Sequence, residues 1–135
     1  MQQPVGLPML MVFGDGSREA YLALAQIRWE MPNGTYFVRL IAGNTRVTPK
    51  MKVTIPRVEL LGAVMAVRLA KKIQETFQFG FSAVRFFTDS SCVLGMLKCD
   101  SSTFTEFVGT RLSEVNTSSD VRDWKWVPTD MNLAD

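Results

Sequence analysis

The fold can be worked out from the stretch Val84-Arg-Phe-Phe-Thr-Asp-Ser-Ser-Cys92. Its bulky apolar residues stop abruptly at Asp89, and serines that can cap a new helix follow directly. A buried strand of an α/β sheet delivers one side chain in this way to the carboxyl edge of the sheet, where such folds keep their sites. Asp89 is therefore the first candidate for a functional residue.

A second apolar run lies near the start of the chain. Met9-Leu-Met-Val-Phe13 is closed by Gly14-Asp-Gly-Ser17, which predicts a strand buried on both faces and a flexible turn that carries Asp15. The strand that ends at Asp89 is expected to be the fourth, adjacent and parallel to this first one.

The segments that follow the first strand alternate in polarity. Residues 20–30 and 35–41 have the two-residue period of strands, and Pro32-Asn-Gly34 between them is a tight-turn signal. The chain is therefore expected to open with a three-stranded antiparallel meander.

The first long helix is expected to begin at Thr54-Ile-Pro-Arg57 and to run to about Phe77. Pro56 suits the first turn, where a missing N–H costs nothing. Glu59 is expected in that first turn too, and taken alone it is explained by the positive end of the helix dipole. Gly62 lets a neighbouring element approach the helix closely.

Two shorter helices are expected after Asp89. One covers about residues 91–98, and a capping box at Thr103-Phe-Thr-Glu106 opens the other, which stops within residues 116–120.

The end of the chain predicts one more strand and a helix start. Residues 121–127 are expected to form the fifth strand, with Trp124 and Trp126 on one face. Asn132-Leu-Ala-Asp135 has the pattern of an N-cap and one helical turn, in which Asp135 alone would be ordinary capping chemistry.

Composition narrows the possible chemistry. The chain has 135 residues, of which 47% are hydrophobic and 21% charged, so one globular domain over residues 1–135 is expected. Histidine is absent, which excludes Ser-His-Asp and Cys-His triads and histidine-ligated zinc. Cys92 and Cys99 are expected to be reduced, and without a signal-peptide pattern or membrane span the chain is expected inside the cell, away from membranes.

Positive charge is concentrated in the middle of the sequence. From Met31 to Val58 there is no acidic residue, while five basic residues accumulate: Arg39, Arg46, Lys50, Lys52 and Arg57. This segment is either a solvated basic loop or a patch for a phosphate backbone beside the site.

Four acids occupy comparable places in the predicted fold. Asp15 and Asp89 end adjacent parallel strands, while Glu59 and Asp135 open helices. Carboxylates gathered at one edge repel each other unless cations bind between them, and oxygen ligands without His or Cys suit Mg²⁺ or Mn²⁺. Paired metals of this kind serve in-line displacement at phosphorus.

The four acids lie in four short motifs: Asp15-Gly-Ser17, Thr54-Ile-Pro-Arg-Val-Glu-Leu60, Thr88-Asp-Ser90 and Val127-Pro-Thr-Asp-Met-Asn-Leu-Ala-Asp135. In order and spacing these motifs resemble the ribonuclease H domain of BEL/Pao-type LTR retrotransposon polyproteins, a type I ribonuclease H. The resemblance covers nearly the whole chain. It implies a ribonuclease H-like α/β fold with a five-stranded mixed sheet of order 3-2-1-4-5, flanked by helices.

The resemblance also implies a metal-dependent endonuclease that hydrolyses the RNA strand of RNA–DNA hybrids. Asp15, Glu59, Asp89 and Asp135 would be the catalytic and metal-binding set for two Mg²⁺ ions, which Mn²⁺ can replace. Asp15 would bridge both ions, Glu59 and Asp89 would complete the first, and Asp135 would hold the second. In the family mechanism one ion activates the attacking water and the other stabilises the departing 3′ oxygen.

Candidate substrate contacts lie beside these acids and in the basic segment. They are Ser17, Thr54, Arg57, Ser90, Arg46, Lys50 and Lys52. The partners that the resemblance implies are the hybrid and, in the native context, reverse transcriptase and other polyprotein domains. The implied location is the cytoplasm or retroelement particles.

The chain departs from this family at two places. Relatives often have a histidine at the position of Trp126, and they continue past Asp135 into a C-terminal helix. The fold is therefore expected with that helix truncated and the second metal site weakened. A catalytically silent nucleic-acid-binding or scaffolding relic of a retroelement polyprotein is the alternative function.

Overall fold

The computed structural model of the chain describes residues 3–48, 54–78, 80–98 and 106–128. Its strands are β1 (Met9–Gly16), β2 (Ala20–Glu30), β3 (Tyr36–Val47), β4 (Ala83–Thr88) and β5 (Trp124–Trp126). Its helices are α1 (Ile55–Thr76), α2 (Ser91–Leu97) and α3 (Glu106–Ser118), and a short 3₁₀ turn covers Val121–Asp123. The order of strands and helices is the one expected from the sequence.

The five strands form one mixed sheet in the order β3-β2-β1-β4-β5, as predicted. The first three strands are antiparallel neighbours, whereas β4 lies parallel to both β1 and β5. The expected hairpin turn is also present: the Met31 N–H donates to the Thr35 carbonyl at 2.8 Å, and Gly34 has a φ of +85°. Glycine adopts that left-handed conformation without steric cost.

The core lies between the sheet and α1. Helix α1 packs mainly on β1 and β2, and α3 packs on α1. One face of α1 is apolar and faces inward, and its buried members include Leu60, Val64, Met65, Val67, Leu69 and Ile73. Within the described ranges, no helix has both the length and the apolar character that a membrane crossing requires.

The predicted flexible turn after Phe13 is wrong. Strand β1 continues through Gly14, Asp15 and Gly16, and glycine is needed there for space. A Cβ added at Gly14 would lie 2.7 Å from the Gly62 carbonyl oxygen, and one added at Gly16 would lie 2.4 Å from the Val58 carbonyl oxygen. Real Cβ atoms do not approach backbone this closely, so these glycines let β1 lie directly on α1.

Two further expectations are corrected. The segment before Trp124 is a 3₁₀ turn, because the Asp120 carboxylate accepts from the Arg122 N–H at 2.9 Å and the Asp120 carbonyl accepts from the Asp123 N–H at 2.9 Å. The fifth strand is therefore only three residues long. Glu59 is the fifth residue of α1, beyond the first turn, where the helix dipole has lost most of its effect.

Several expected features lie outside the described residues. They are the capping box at 103–106 apart from Glu106, the helix start at 132–135, and the side chains of Lys50, Lys52, Cys99 and Asp135. Cys92 lies within the described residues and is an exposed free thiol.

Candidate active site

Asp89 leaves the sheet at a tightly hydrogen-bonded corner. The carbonyl of the preceding residue, Thr88, accepts from the Val127 N–H at 2.9 Å, which joins this corner to the end of β5. The Thr88 hydroxyl accepts from the Ser90 N–H at 3.1 Å. Ser90 in turn caps α2, because its hydroxyl oxygen accepts from the Val93 N–H at 3.1 Å. The backbone on both sides of Asp89 is thus fixed before any ligand binds.

Asp15 lies level with Asp89 on the neighbouring strand. In the parallel register Phe13 is opposite Phe87, so two further residues along each chain lead to Asp15 and Asp89. Side chains alternate across a strand, and both acids share the parity of Phe13 and Phe87, whose rings stack with centroids 4.7 Å apart. Adjacent strands are about 4.8 Å apart, so the two chain segments that carry these acids reach the carboxyl edge of the sheet side by side.

Glu59 reaches this edge from α1. The missing side chain of Gly16 allows the close approach, since a Cβ there would lie 2.8 Å from the Glu59 amide nitrogen. The pKa of the Glu59 carboxyl is raised above its ordinary value of 4.5, first because partial burial disfavours the charged form and then because Asp89 repels it. A hydrogen bond with the Ser90 side chain acts in the opposite direction and lowers this pKa. Glu59, Asp89 and Ser90 therefore form one electrostatically coupled group.

The donor chemistry of this group fits a divalent cation. In the part of the chain that the structure describes, no three His, Cys, Asp or Glu side chains are arranged to hold a metal ion. The coupled pair of Glu59 and Asp89 fits nevertheless, because a cation would remove their repulsion and favour the ionised form of Glu59. Carboxylate oxygens are also the ligands that Mg²⁺ and Mn²⁺ prefer.

The predicted substrate contacts have different positions. Ser90 is buried, and its side chain lowers the pKa of Glu59. The Ser17 hydroxyl instead closes the turn between β1 and β2 by accepting from the Glu19 and Ala20 N–H groups at 3.3 Å each. Thr54 is the N-cap residue of α1. The Arg57 guanidinium lies 5.3 Å from the centroid of the Phe107 ring, so it also contacts α3.

The basic segment is divided between two ends of the sheet. Arg46 pairs with Tyr21, which pairs with Gly16, so Arg46 lies at the same edge as Asp15, two strands away. Arg39 pairs through Ile27 with Leu10 and therefore lies towards the other end of β3. Of the two, Arg46 is the one that lies at the edge of the sheet where Asp15 ends β1.

Trp126 is a neighbour of the site that sequence reasoning did not assign to it. Its indole N–H donates to the carbonyl oxygen of Asp89 at 3.1 Å. The available signal was its position in the strand: Trp126 pairs with Thr88, one residue before Asp89. The alternating pattern placed this tryptophan in a strand but could not show which carbonyl its indole meets.

A five-stranded mixed sheet in the order β3-β2-β1-β4-β5, flanked by helices, is the fold of the ribonuclease H class of proteins. The family described as Pao retrotransposon-like RNaseH-like domain matches residues 3–90, more than half of the chain. The chain belongs to this family, in agreement with the resemblance seen in its motifs. A comparison with curated protein sequences found no significant match.

Solved structures show the same fold at low sequence identity. The N-terminal RNase H domain of rv2228c from Mycobacterium tuberculosis is 13% identical, with a TM-score of 0.58 over 93% of this chain and 86% of that chain. LC11-RNase H1 in complex with an RNA/DNA hybrid is 9% identical, with a TM-score of 0.56 over 93% of this chain and 88% of that chain. The foamy viral protease-reverse transcriptase in complex with an RNA/DNA hybrid is 14% identical, with a TM-score of 0.52 over 99% of this chain and 20% of that chain.

Proposed function

We propose that this domain is a metal-dependent endonuclease that hydrolyses the RNA strand of RNA–DNA hybrids during retroelement reverse transcription. The observation that carries the proposal is the coupling of Glu59 with Asp89 at the sheet edge where Asp15 is level with Asp89. Three acids far apart in sequence lie on elements that converge at this edge, and Asp89 raises the pKa of Glu59. Because the chain belongs to the Pao retrotransposon-like RNaseH-like family, nuclease chemistry is what we propose for that edge.

Asp15, Glu59 and Asp89, with Asp135 from the end of the chain, are the residues proposed to hold two Mg²⁺ or Mn²⁺ ions. When bound, such ions would supply an activated water and neutralise charge on the departing 3′ oxygen. The chain's own contribution is to hold the carboxylates in place. The corner at Thr88 and Ser90 fixes the Asp89 backbone, and the Ser90 hydroxyl favours the ionised form of Glu59 that a cation needs.

The proposed substrate is an RNA–DNA hybrid, and the proposed native partners are reverse transcriptase and the other domains of a retroelement polyprotein. Two structurally similar proteins were solved with an RNA/DNA hybrid, and one of them is a protease-reverse transcriptase. Arg46 at the Asp15 edge would meet the phosphate backbone, and Arg57 at the start of α1 is a second candidate. Action in the cytoplasm or in retroelement particles follows from this role.

The test is cleavage of an end-labelled RNA–DNA hybrid in Mg²⁺ or Mn²⁺, beside double-stranded DNA and double-stranded RNA of the same sequence. The RNA strand of the hybrid alone should be cut, leaving a 5′ phosphate and a 3′ hydroxyl, and EDTA should stop the reaction. Asp89→Asn should be inactive. Absence of hybrid cleavage by the wild-type chain, both alone and extended by a C-terminal helix, would refute the proposal.

One observation favours the alternative function, a catalytically silent nucleic-acid-binding or scaffolding relic. Within the described ranges no three candidate ligand side chains are arranged to hold a metal. A silent domain should bind the hybrid equally well in EDTA and in Mg²⁺ and should cut neither strand. Binding and cleavage measured on the same hybrid therefore separate the two functions.

A further inference from the structure

Strand β5 carries two tryptophans with different surroundings. Trp124 is buried, its ring stacks on Phe86 with centroids 4.9 Å apart, and its indole N–H donates to the Ser119 hydroxyl at 2.9 Å. Trp126 is 54% exposed, although its indole N–H is held by the Asp89 carbonyl at 3.1 Å. Trp124 joins α3 to the sheet, whereas the ring of Trp126 makes no comparable stacking contact in the part of the chain that the structure describes.

The position of Trp126 is unfavourable for a ring that only stabilises the fold. A half-exposed indole keeps much of its apolar area in water, and ordering the side chain costs conformational entropy. The hydrogen bond to Asp89 holds the ring beside the Glu59–Asp89 pair, at the carboxyl end of β5. A large aromatic surface held in place next to reactive groups is typical of a ligand contact.

The chemistry of the neighbouring acids limits what can attract a nucleic acid at this point. A lysine or arginine in the place of Trp126 would pair with Asp89 and compete with any cation there. An indole face carries no formal charge, yet it packs on the sugar and base faces that every nucleotide offers. Trp126 thus offers attraction to a polyanion without neutralising the carboxylates.

We propose that Trp126 is a positioning residue: its indole N–H fixes the Asp89 peptide, and its exposed ring packs on a ribose or base face of the hybrid strand at the site of cleavage. This inference rests on the proposed hybrid nuclease function. The two roles use different parts of one side chain, so different substitutions separate them.

Trp126→Phe keeps an aromatic ring and removes the N–H donor, whereas Trp126→Ala removes both. Hybrid binding is measured by fluorescence anisotropy in EDTA, where no cleavage occurs. Trp126→Ala should raise Kd about fivefold or more, because aromatic–base contacts are worth that much per base. Trp126→Phe should leave Kd within about twofold of the wild-type value, since the ring contact is retained.

Cleavage in Mg²⁺ should show the other role. Both variants should lower kcat about threefold to tenfold, the effect of losing one hydrogen bond that holds a catalytic group. Trp126→Phe would then change kcat with little effect on KM, and Trp126→Ala would change both. A residue with only a structural role would not change kcat alone in one variant and both kcat and KM in the other.

Trp29 provides the matched control. It lies near the end of β2 that is remote from Asp15, where its ring is 5.7 Å from that of Phe37, and Trp29→Phe should change neither Kd nor kcat. In the wild-type protein, adding hybrid in EDTA should shift the NMR signal of the Trp126 indole N–H and leave that of Trp29 in place. This readout needs no variant, so it also decides the matter if Trp126→Ala fails to fold.

The outcomes distinguish this proposal from the one it rests on. If the wild type binds and cuts the hybrid while both Trp126 variants behave as Trp29→Phe does, the role of Trp126 is refuted and the nuclease function stands. An unshifted Trp126 indole signal in a saturated complex refutes the ring contact in the same way. If the wild type neither binds nor cuts a hybrid, both alone and extended by a C-terminal helix, both proposals are wrong.

Discussion

Glu59 is the residue whose electrostatics depend most clearly on the site. Its pKa lies above the ordinary value of 4.5, chiefly through burial and secondly through Asp89. A carboxyl with a raised folded-state pKa stabilises the fold while it is protonated. That contribution is complete below pH 4.5 and is lost as the pH rises through the raised pKa. The ionised form of Glu59 is therefore less favourable in the folded protein than in the unfolded chain, and a bound cation would offset this difference.

Replacing Asp89 should report directly on this coupling. In Asp89→Asn the pKa of Glu59 should move down towards 4.5 without reaching it, because burial, the larger cause, remains. The measurement is an NMR pH titration of the Glu59 side-chain carboxyl carbon. Asp123→Asn is the control, since Asp123 pairs with Arg85 at 3.0 Å and should not affect Glu59. An unchanged Glu59 pKa in Asp89→Asn would show that the two carboxyls are not coupled.

For single residues, the sequence suggested four acids as site candidates and gave no indication of their surroundings. Asp89 could be predicted because an acid after an apolar strand has a known place in an α/β sheet. Glu59 needed the other acids or the family motif to be singled out. The structural task of Ser17 and the hydrogen bond of Trp126 depend on which side chains meet across elements, and no local pattern contains that information.

At the scale of elements, three glycines bring β1 and α1 together. Gly14 and Gly16 contact the backbone of α1, and Gly62 contacts the backbone of Asp15, with an added Cβ only 2.5 Å from the Asp15 carbonyl oxygen. The predicted close approach at Gly62 is confirmed by this contact. The same contact fixes the position of Asp15 along β1 relative to Glu59 on α1. The packing of these two elements therefore positions two candidate site residues.

Replacement of either of two helical glycines by alanine should change the free energy of unfolding, in opposite directions for the two positions. Gly62→Ala should lower the free energy of unfolding by about 1–3 kcal/mol, because the new methyl group must displace β1 backbone. Gly95→Ala should raise it by about 0.5–1 kcal/mol, because alanine favours helix, and nothing lies within 4 Å of the added Cβ. Urea unfolding of both variants checks the pair. A loss of stability in Gly95→Ala, or none in Gly62→Ala, would contradict the packing described.

The ion pair between α1 and α3 should make a smaller, pH-dependent contribution. Arg68 donates to both carboxylate oxygens of Glu114 at 2.6 and 2.7 Å, and this lowers the pKa of Glu114. Glu114→Gln should cost about 0.2–1 kcal/mol at neutral pH, because both side chains are partly exposed to solvent.

The sign of this effect follows from the lowered pKa of Glu114. The contribution is complete above pH 4.5 and is lost as the pH falls through the folded-state pKa. Urea unfolding at pH 7 and again well below pH 4.5 should show the difference between wild type and Glu114→Gln disappear in acid. Glu75→Gln, an exposed change on α1, is the control. A difference that persists in acid would mean that packing, and not charge, is lost.

The limits of sequence prediction are clear at this scale too. Strand β2 and the long helix were predictable because their apolar periods extend over many residues. Strand β3 was predicted for residues 35–41 but continues to Val47, through exposed residues that carry no apolar period. The fifth strand was overestimated, since the side chain of Asp120 bonds to Arg122 and turns the chain just where hydrophobicity suggested extension. The extension of β1 through Asp15 was missed because Gly14 and Gly16 suggest a turn unless the close contact with α1 is known.

For the molecule as a whole, charge should guide the substrate to the acidic edge. Arg46 lies at that edge, whereas Arg39 is seven residues away on the same strand, about 23 Å along its length. Arg46→Gln should weaken hybrid binding and lower the slope of log K against log salt concentration by about 1. Arg39→Gln should change both much less. Anisotropy titrations over a range of salt check this, and equal effects of the two variants would contradict the placement of the substrate.

The architecture as a whole was open to prediction from the sequence, including the strand order. That prediction rested on the four motifs that resemble the family, and the spacing of the acids agreed with it. Whether three acids from β1, α1 and the end of β4 work together depends on tertiary distances and on a bound cation. Neither property is local in the sequence.

The most direct test of the proposed site is the rate of RNA-strand cleavage in Mg²⁺ for three single variants, Asp15→Asn, Glu59→Gln and Asp89→Asn. Glu75→Gln on the same helix as Glu59 serves as the charge-matched control. Each site variant should lose at least about 100-fold in rate, while Glu75→Gln should retain the wild-type rate and metal dependence. Wild-type rates in the three site variants would contradict the assignment of this edge as the active site.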